Sequence, residues 1–283
     1  MDISVIVPCR NGEPYIERCL TALLNQSFPA ERYEVIVVDN MSTDASLQKA
    51  RCFARVRTLQ ESKPGSYAAR NAGLRLAAGR LLAFIDADCE ADPHWLAAIH
   101  DAFEQQETSA ILGGRRFGAE SFLLAAFANY EHEKARFVFN QQDPALFYAY
   151  TNNMAVRREV FERCGEFPHI LRGGDVVFMK EILKAYPCRT VRFVPAALIR
   201  HLEIDRWYSW PRKMWIYGRS FQNYSTLCQA RTLDNRARRE IFRQTLRRNN
   251  YSIAQAAVFF LFGAVTTLAF ECGRRFSLRP PAR

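Results

Sequence analysis

The sequence has no C-x-x-C pair: its eight cysteines (Cys9, Cys19, Cys52, Cys89, Cys164, Cys188, Cys228 and Cys272) are scattered, and no closely spaced histidine completes a cluster. That excludes a structural zinc site and leaves free thiols in a reducing cytoplasm as the expectation. The opening MDISVIVPCR lacks a basic n-region, an apolar h-region and a small-residue cleavage site, so no export signal is expected. Internal repeats, long linkers and low-complexity tracts are also missing, which sets aside repeat arrays and disordered chains. Acidic residues are the minority charge, 29 Asp+Glu against 39 Lys+Arg, for a net charge of +10. An anionic partner therefore enters consideration, whether nucleic acid, lipid headgroup or phosphorylated substrate.

What the chain does contain is 283 residues, 49% hydrophobic and 24% charged, enough for a packed core. One large domain with an appendage is the expectation from that length. ISVIVP (3 to 8) and EVIVVD (34 to 39) are short β-branched runs ending at polar or turn-forming residues, as buried parallel strands do. Between them YIERCLTALLNQ places Ile16, Cys19, Leu20, Leu23 and Leu24 at helical spacing, which completes a βαβ unit. The alternation predicts helix SLQKARCFA, a strand near Val56 to Leu59, a helix over Ala68 to Ala78 and a strand LLAFIDAD at 81 to 88. Pro93 then opens the helix HWLAAIHDAFEQ. Further on, the pattern predicts a strand at 110 to 117, a helix at 121 to 139, a strand at 147 to 157 and the helix REVFERCG. In an open parallel sheet the ligand lies beyond the carboxyl ends of the strands. Pro8 to Asn11, Asp39 and Asp86 to Asp88 all fall at such ends.

The C-terminal part differs in character. Residues 206 to 224 are dense in aromatic and basic side chains, a composition typical of interfaces, and Arg236 to Arg248 follow as a basic helical stretch. Residues 253 to 270 carry no charged side chain, and as a helix they would extend about 27 Å. A membrane-crossing helix, an in-plane anchor and an oligomer interface remain open for this segment. Arg247 and Arg248 before it and Arg274 and Arg275 after it give no clear orientation, so association with the cytoplasmic membrane face is favoured over a single crossing.

Asp86-Ala87-Asp88 is a D-x-D arrangement, able to hold magnesium or manganese together with substrate phosphates. Alone, it reads more readily as a solvated acidic turn, since Glu90 and Asp92 continue the acidity. The order VIVPCRNGEPYIERCLTALLNQ, VIVVDNMSTDAS and KPGSYAARNAGLRLAAGRLLAFIDADC resembles the family 2 glycosyltransferases across roughly residues 3 to 100. The resemblance continues more loosely through TNNMAVRREVFERCGEF, RGGDVVF and RHLE to about residue 220.

It implies a GT-A fold, meaning a Rossmann-like α/β, mostly parallel sheet flanked by helices, with residues 1 to 225 as catalytic domain. The resemblance does not cover the last 60 or so residues; by composition 226 to 283 are expected to form a basic and hydrophobic helical extension for membrane association. It also implies an inverting transfer from a nucleotide-sugar donor, by default a UDP-sugar, with Mn2+ or Mg2+ as cofactor. By the same resemblance Pro8, Cys9, Arg10 and Asn11 touch the nucleotide, Asp39 recognises the base, and Arg70 lies near base and diphosphate. Asp86 and Ala87 lie near the ribose, Asp88 binds the metal, His201 helps bind metal or diphosphate, and Asp175 is the general base.

Each residue also has a plainer role: Asp39 in a turn, Arg70 in solvent, Asp175 as a helix N-cap, His201 as a structural histidine. Gly174 stands where the family motif usually carries a second acid. The chain has no Q-x-x-R-W, the motif of processive synthases, which points to one sugar per encounter. The expected partners are the donor, a glycan or lipid acceptor and a membrane surface, with an oligomer open and no nucleic acid. Two other readings stay in view. A sugar nucleotidyltransferase would normally carry a Gly-rich phosphate loop, whereas PCRNGEP has one glycine. A non-enzymatic protein binding nucleic acid or another anion would use the basic C-terminal third.

Overall fold

The computed structural model describes residues 1–104, 107–117, 121–228, 231 and 233–276, apart from the side chains of 222, 223, 225, 226 and 228. The described elements are β1 (Ile3–Cys9), α1 (Ile16–Leu24), β2 (Tyr33–Asp39), α2 (Ser46–Arg51), β3 (Val56–Gln60), α3 (Ser66–Leu76), β4 (Leu81–Ile85), β5 (Cys89–Ala91) and α4 (Trp95–Glu104). They continue with β6 (Ala110–Phe117), α5 (Phe122–Gln141), β7 (Asn153–Arg157), α6 (Arg158–Cys164), α7 (Gly174–Ala185), β8 (Val191–His201), α8 (Ser209–Cys228), α9 (Asn235–Arg248) and α10 (Ile253–Arg275). Gln105, expected at the end of α4, lies outside the described residues.

The strands form one sheet in the order β3-β2-β1-β4-β7-β6-β8-β5. β3, β2, β1 and β4 run parallel to one another, and β7 then runs antiparallel to both β4 and β6. Every residue of β1 and β4 is buried, which is why their sequences are unbroken apolar runs rather than alternating ones. Ile16, Cys19, Leu20 and Leu23 form the inner face of α1 and join the core with β1, β2 and α4.

Two expectations change. The strand read at 81 to 88 stops at Ile85, and a turn closed by Cys89 N–H donating to Asp86 C=O (3.0 Å) separates it from β5. The strand read at 147 to 157 begins only at Asn153, because Tyr148 and Tyr150 suit loop packing as well as strands. β8 has no counterpart in the sequence reading. Its Pro195 argues against a strand, but the β5 ladder uses only Ile199 to His201, so the missing N–H is not needed there.

By packing, the chain divides into two compact units. The first holds Met1–Arg115 and Tyr148–Glu203, and the second Arg116–Phe147 and Ile204–Arg283. Within the second unit α8 lies along α10 so closely that a Cβ on Gly273 would sit 2.1 Å from the Trp215 carbonyl oxygen. This binds 206 to 224 to the C-terminal helices. The core of that unit joins Leu124, Phe127, Ile204, Trp210, Phe259 and Phe262, with the Phe127 and Trp210 rings 4.4 Å apart. The opposite side of α10 is open: Ile253, Phe260, Leu261, Val265 and Leu268 are all exposed. α10 is long and apolar enough to cross a membrane. Among the described residues, the seven cysteines other than Cys228 are free thiols, and the Cys228 side chain lies outside the described set.

Candidate functional site

The expected site residues all lie in the first compact unit. Asp39 closes β2 opposite Cys9 at the end of β1, and Asp86 follows β4 directly, so the three carboxyl ends stand side by side. Asp39 is buried, its Oδ2 accepting the Ser42 N–H at 3.4 Å and its Oδ1 having no protein partner. A buried acceptor without a hydrogen bond costs about 1–3 kcal/mol, so a turn role alone does not account for it.

The loops above the strand ends are braced by polar side chains. Asn11, in the left-handed region at φ 52°, accepts the Thr43 N–H at 2.9 Å and donates its own N–H to Ser42 Oγ at 3.0 Å. Its side chain is thereby engaged in tying the β1 loop to the β2 loop. Arg10 is exposed beside it, whereas Pro8 is buried within β1. The Cys9 thiol faces the core and burial pushes its pKa up to about 11, so at neutral pH it is a protonated packing group. Asn40 donates to the carbonyls of Glu61 (2.9 Å) and Lys63 (2.7 Å) and accepts the Gly65 N–H (2.8 Å). It thus fixes the approach to α3, a role that only its place directly after Asp39 hinted at.

α3 delivers Arg70, which is 3% exposed and pairs with the Asp86 carboxylate. The plainer alternative of a solvated arginine does not hold. Its guanidinium also lies 5.5 Å from the centre of the Tyr67 ring. Asp86 is therefore not a free acidic turn residue, and Ala87 beside it is small and buried. The turn then presents Asp88, whose carbonyl accepts the Leu202 N–H at 2.7 Å, while β5 pairs Cys89 with His201. This register brings His201 Nδ1 to 3.6 Å from Asp88 Oδ2 across 113 positions of sequence.

The ligand atoms of Asp88, Cys89 and His201 lie within 4.8 Å of one another. A carboxylate oxygen suits manganese or magnesium and an imidazole nitrogen suits transition metals, so this donor set is one that could hold a divalent cation without fixing which. Cys89 is a member that sequence reasoning missed; its position next to the D-x-D was the available signal. Its thiol is fully buried and held protonated by burial.

Asp175 stands in the first turn of α7, whose N-cap is Gly173, so it is not the cap. Its Oδ1 accepts the Val176 N–H at 2.9 Å. Burial raises its pKa above the ordinary aspartate value, opposed by hydrogen bonding from the Tyr67 hydroxyl, the Val176 N–H and the charge of Arg70. A carboxylate so placed is a stronger base than a solvated one. Arg70 thus faces both Asp86 and Asp175.

The glycosyl transferase family 2 pattern matches residues 4–165. Glycosyltransferase AglE of Haloferax volcanii is 32% identical over 194 residues, covering 65% of this chain and 62% of the relative. Dodecaprenyl-phosphate galacturonate synthase of Rhizobium johnstonii is 35% identical over 135 residues, covering 44% of this chain and 39% of the relative. The chain thus spans less than two thirds of these curated relatives. Among solved structures, the mannosyltransferase PcManGT from Pyrobaculum calidifontis, in complex with GDP-Man and Mn2+, superposes with a TM-score of 0.61. That match is 20% identical in sequence and covers 97% of this chain and 82% of that one. At that identity the likeness speaks for the fold, which is GT-A. Parallel strands that end in Asp39 and lead into Asp86-Ala87-Asp88 lie within the matched residues, and the chain belongs to glycosyl transferase family 2.

Proposed function

We propose that this protein is an inverting, non-processive glycosyltransferase that moves a sugar from a nucleotide-sugar, by preference a UDP-sugar, to an acceptor hydroxyl. The observation that carries this reading is the convergence of Asp39, Asp86, Asp88 and His201 along the strand ends, with Arg70 linking Asp86 to Asp175. Asp39 offers its unpartnered oxygen to an imide N–H of the base. Asp86, held by Arg70, faces the ribose, while Asp88 and His201 would hold a divalent cation. When bound, that cation neutralises charge on the departing diphosphate.

Asp175 takes the acceptor's proton as the hydroxyl oxygen attacks the anomeric carbon. The bond from that carbon to the phosphate oxygen breaks on the opposite face, and its electron pair leaves with the nucleoside diphosphate. Positioning and electrostatic stabilisation of the leaving group supply most of the rate. Support for the donor class comes from PcManGT, which binds GDP-Man and Mn2+. Titrating UDP, GDP and CDP calorimetrically into the folded protein tests the reading, with and without manganese. One nucleotide is expected to bind in a metal-dependent way, and absence of binding by all three would overturn it.

For the acceptor we infer a lipid-linked or membrane-bound glycan at the cytoplasmic membrane face. The name of the Rhizobium relative specifies a polyprenyl phosphate, and the second unit carries matching features. α9 contributes Arg236, Arg238, Arg239, Arg243, Arg247 and Arg248, and α10 leaves its apolar side open. A basic helix followed by an exposed apolar one suits in-plane binding to anionic lipid. In flotation assays the protein is expected to rise with phosphatidylglycerol-containing vesicles. Leu261→Glu together with Leu268→Glu should leave it at the bottom of the gradient. Equal flotation of both proteins would rule out this face.

A further inference from the structure

Directly after Asp88 lies a thiol that the proposed reaction does not use. Cys89 is fully buried, and its plain role is that of a small apolar group in the core. On one side its surroundings are of another kind. Cys89 is paired with His201 in the antiparallel ladder of β5 and β8, and residues so paired project their side chains from the same face of the sheet. The Asp88 carboxylate lies against both: Cys89 Sγ is 3.5 Å from Asp88 Oδ1, and His201 Nδ1 is 3.6 Å from Asp88 Oδ2. The thiol, imidazole and carboxylate ligand atoms all fall within 4.8 Å of one another, and the three residues belong to the first compact unit.

Around a tetrahedral zinc ion, with sulfur at about 2.3 Å and nitrogen or oxygen at about 2.0 Å, neighbouring ligand atoms stand roughly 3.3–3.5 Å apart. The two separations measured at Asp88 are close to those edges. Thiolate and imidazole favour cations of the zinc class, whereas carboxylate favours magnesium and manganese. Two of the three donors thus select for a thiophilic cation.

We propose that Cys89 is a third protein ligand beside Asp88 and His201, and that the three form a site for a thiophilic divalent cation of the zinc class, with a fourth position open to a ligand oxygen. This rests on the reading of the Asp88 turn as the metal-holding part of the site. Burial keeps the uncoordinated thiol protonated, so binding is an exchange. The S–H bond breaks, the sulfur's electron pair forms the bond to the cation, and the proton passes to water at Asp88, the most exposed of the three. With manganese, which prefers oxygen, Cys89 keeps its proton, and Asp88 and His201 carry the binding.

Cobalt chloride titrated into the whole folded chain reports the ligand set, because a thiolate bound to Co2+ gives a near-ultraviolet charge-transfer band that carboxylate and imidazole do not. The wild type should show the band at one equivalent, and Cys89→Ala, Asp88→Ala and His201→Ala should each lose it. Competition with a chromophoric chelator should show Zn2+ affinity falling by more than about 100-fold in Cys89→Ala, with Mn2+ affinity held within about threefold. Cys89→Ser, which keeps a polar group at this position, serves the same comparison should the alanine variant not fold. A wild-type spectrum without the thiolate band would overturn the proposal, as would unchanged Zn2+ affinity in Cys89→Ala. A band surviving in Cys89→Ala or Asp88→Ala would also overturn it, since another cysteine, such as the exposed Cys52, would then be the source. If neither Mn2+ nor Co2+ binds the wild type, the metal reading of this turn fails as a whole, a result distinct from Mn2+ binding with no thiolate band.

Discussion

Asp175→Asn is expected to bind nucleotide as the wild type does and to transfer sugar about 10²- to 10⁴-fold more slowly, the contribution of a positioned general base. The amide is nearly isosteric, and its oxygen can still accept the Val176 N–H that Asp175 accepts at 2.9 Å. The change therefore removes the proton acceptor and little else. Steady-state transfer set beside calorimetric binding checks it, and transfer at the wild-type rate would remove Asp175 from the mechanism. As the proposed base Asp175 must be ionised, and burial raises its pKa despite Tyr67, Val176 and Arg70. The acid limb of the rate profile should accordingly lie above the ordinary aspartate range of about 3.9.

The same shift has a consequence for stability. A carboxyl whose pKa is raised on folding favours the folded state below the unfolded value, and that contribution is lost as pH rises through the folded value. At neutral pH the buried charge is a cost, so Asp175→Asn should melt higher than the wild type there. The advantage should shrink as the pH falls below the folded value. Thermal unfolding at the two pH values measures it. For the proposed base, lower stability at its working pH is the usual trade between function and stability.

Asp88→Ala should abolish the strengthening of nucleotide binding by manganese and weaken binding of Mn2+ itself by more than about 100-fold. Even residues that only support a metal ligand commonly cost 10- to 100-fold. The readout is calorimetry with the metal alone, so it does not depend on finding the acceptor. His201 stands 3.6 Å from the same carboxylate, and His201→Ala should cause a smaller loss of the same kind. Manganese-dependent binding at wild-type strength in Asp88→Ala would move the metal away from this turn.

The sequence by itself determined the parallel half of the sheet and the placing of carboxylates at its edge. Runs such as ISVIVP and EVIVVD are apolar on both faces, a pattern that only a strand covered on two sides requires, and β1 and β2 appear where that pattern lies. Asp39 and the Asp86 to Asp88 triplet follow such runs directly, so their place beyond the strand ends could be read locally. β8 was hidden because Pro195 interrupts its signal, and its ladder to β5 joins residues 112 positions apart at Cys89 and His201. The membership of 116 to 147 with the C-terminal helices was equally illegible, because the packing of Phe127 on Trp210 has no local trace.

Only the tertiary structure decided what surrounds each carboxylate. Arg70 on Asp86, His201 beside Asp88, and Tyr67 filling the space at Gly174 are contacts between separate elements. Periodicity records which face of an element is buried. It does not record which partner that face meets, and the partner sets desolvation, hydrogen bonding and hence the reactivity of the group.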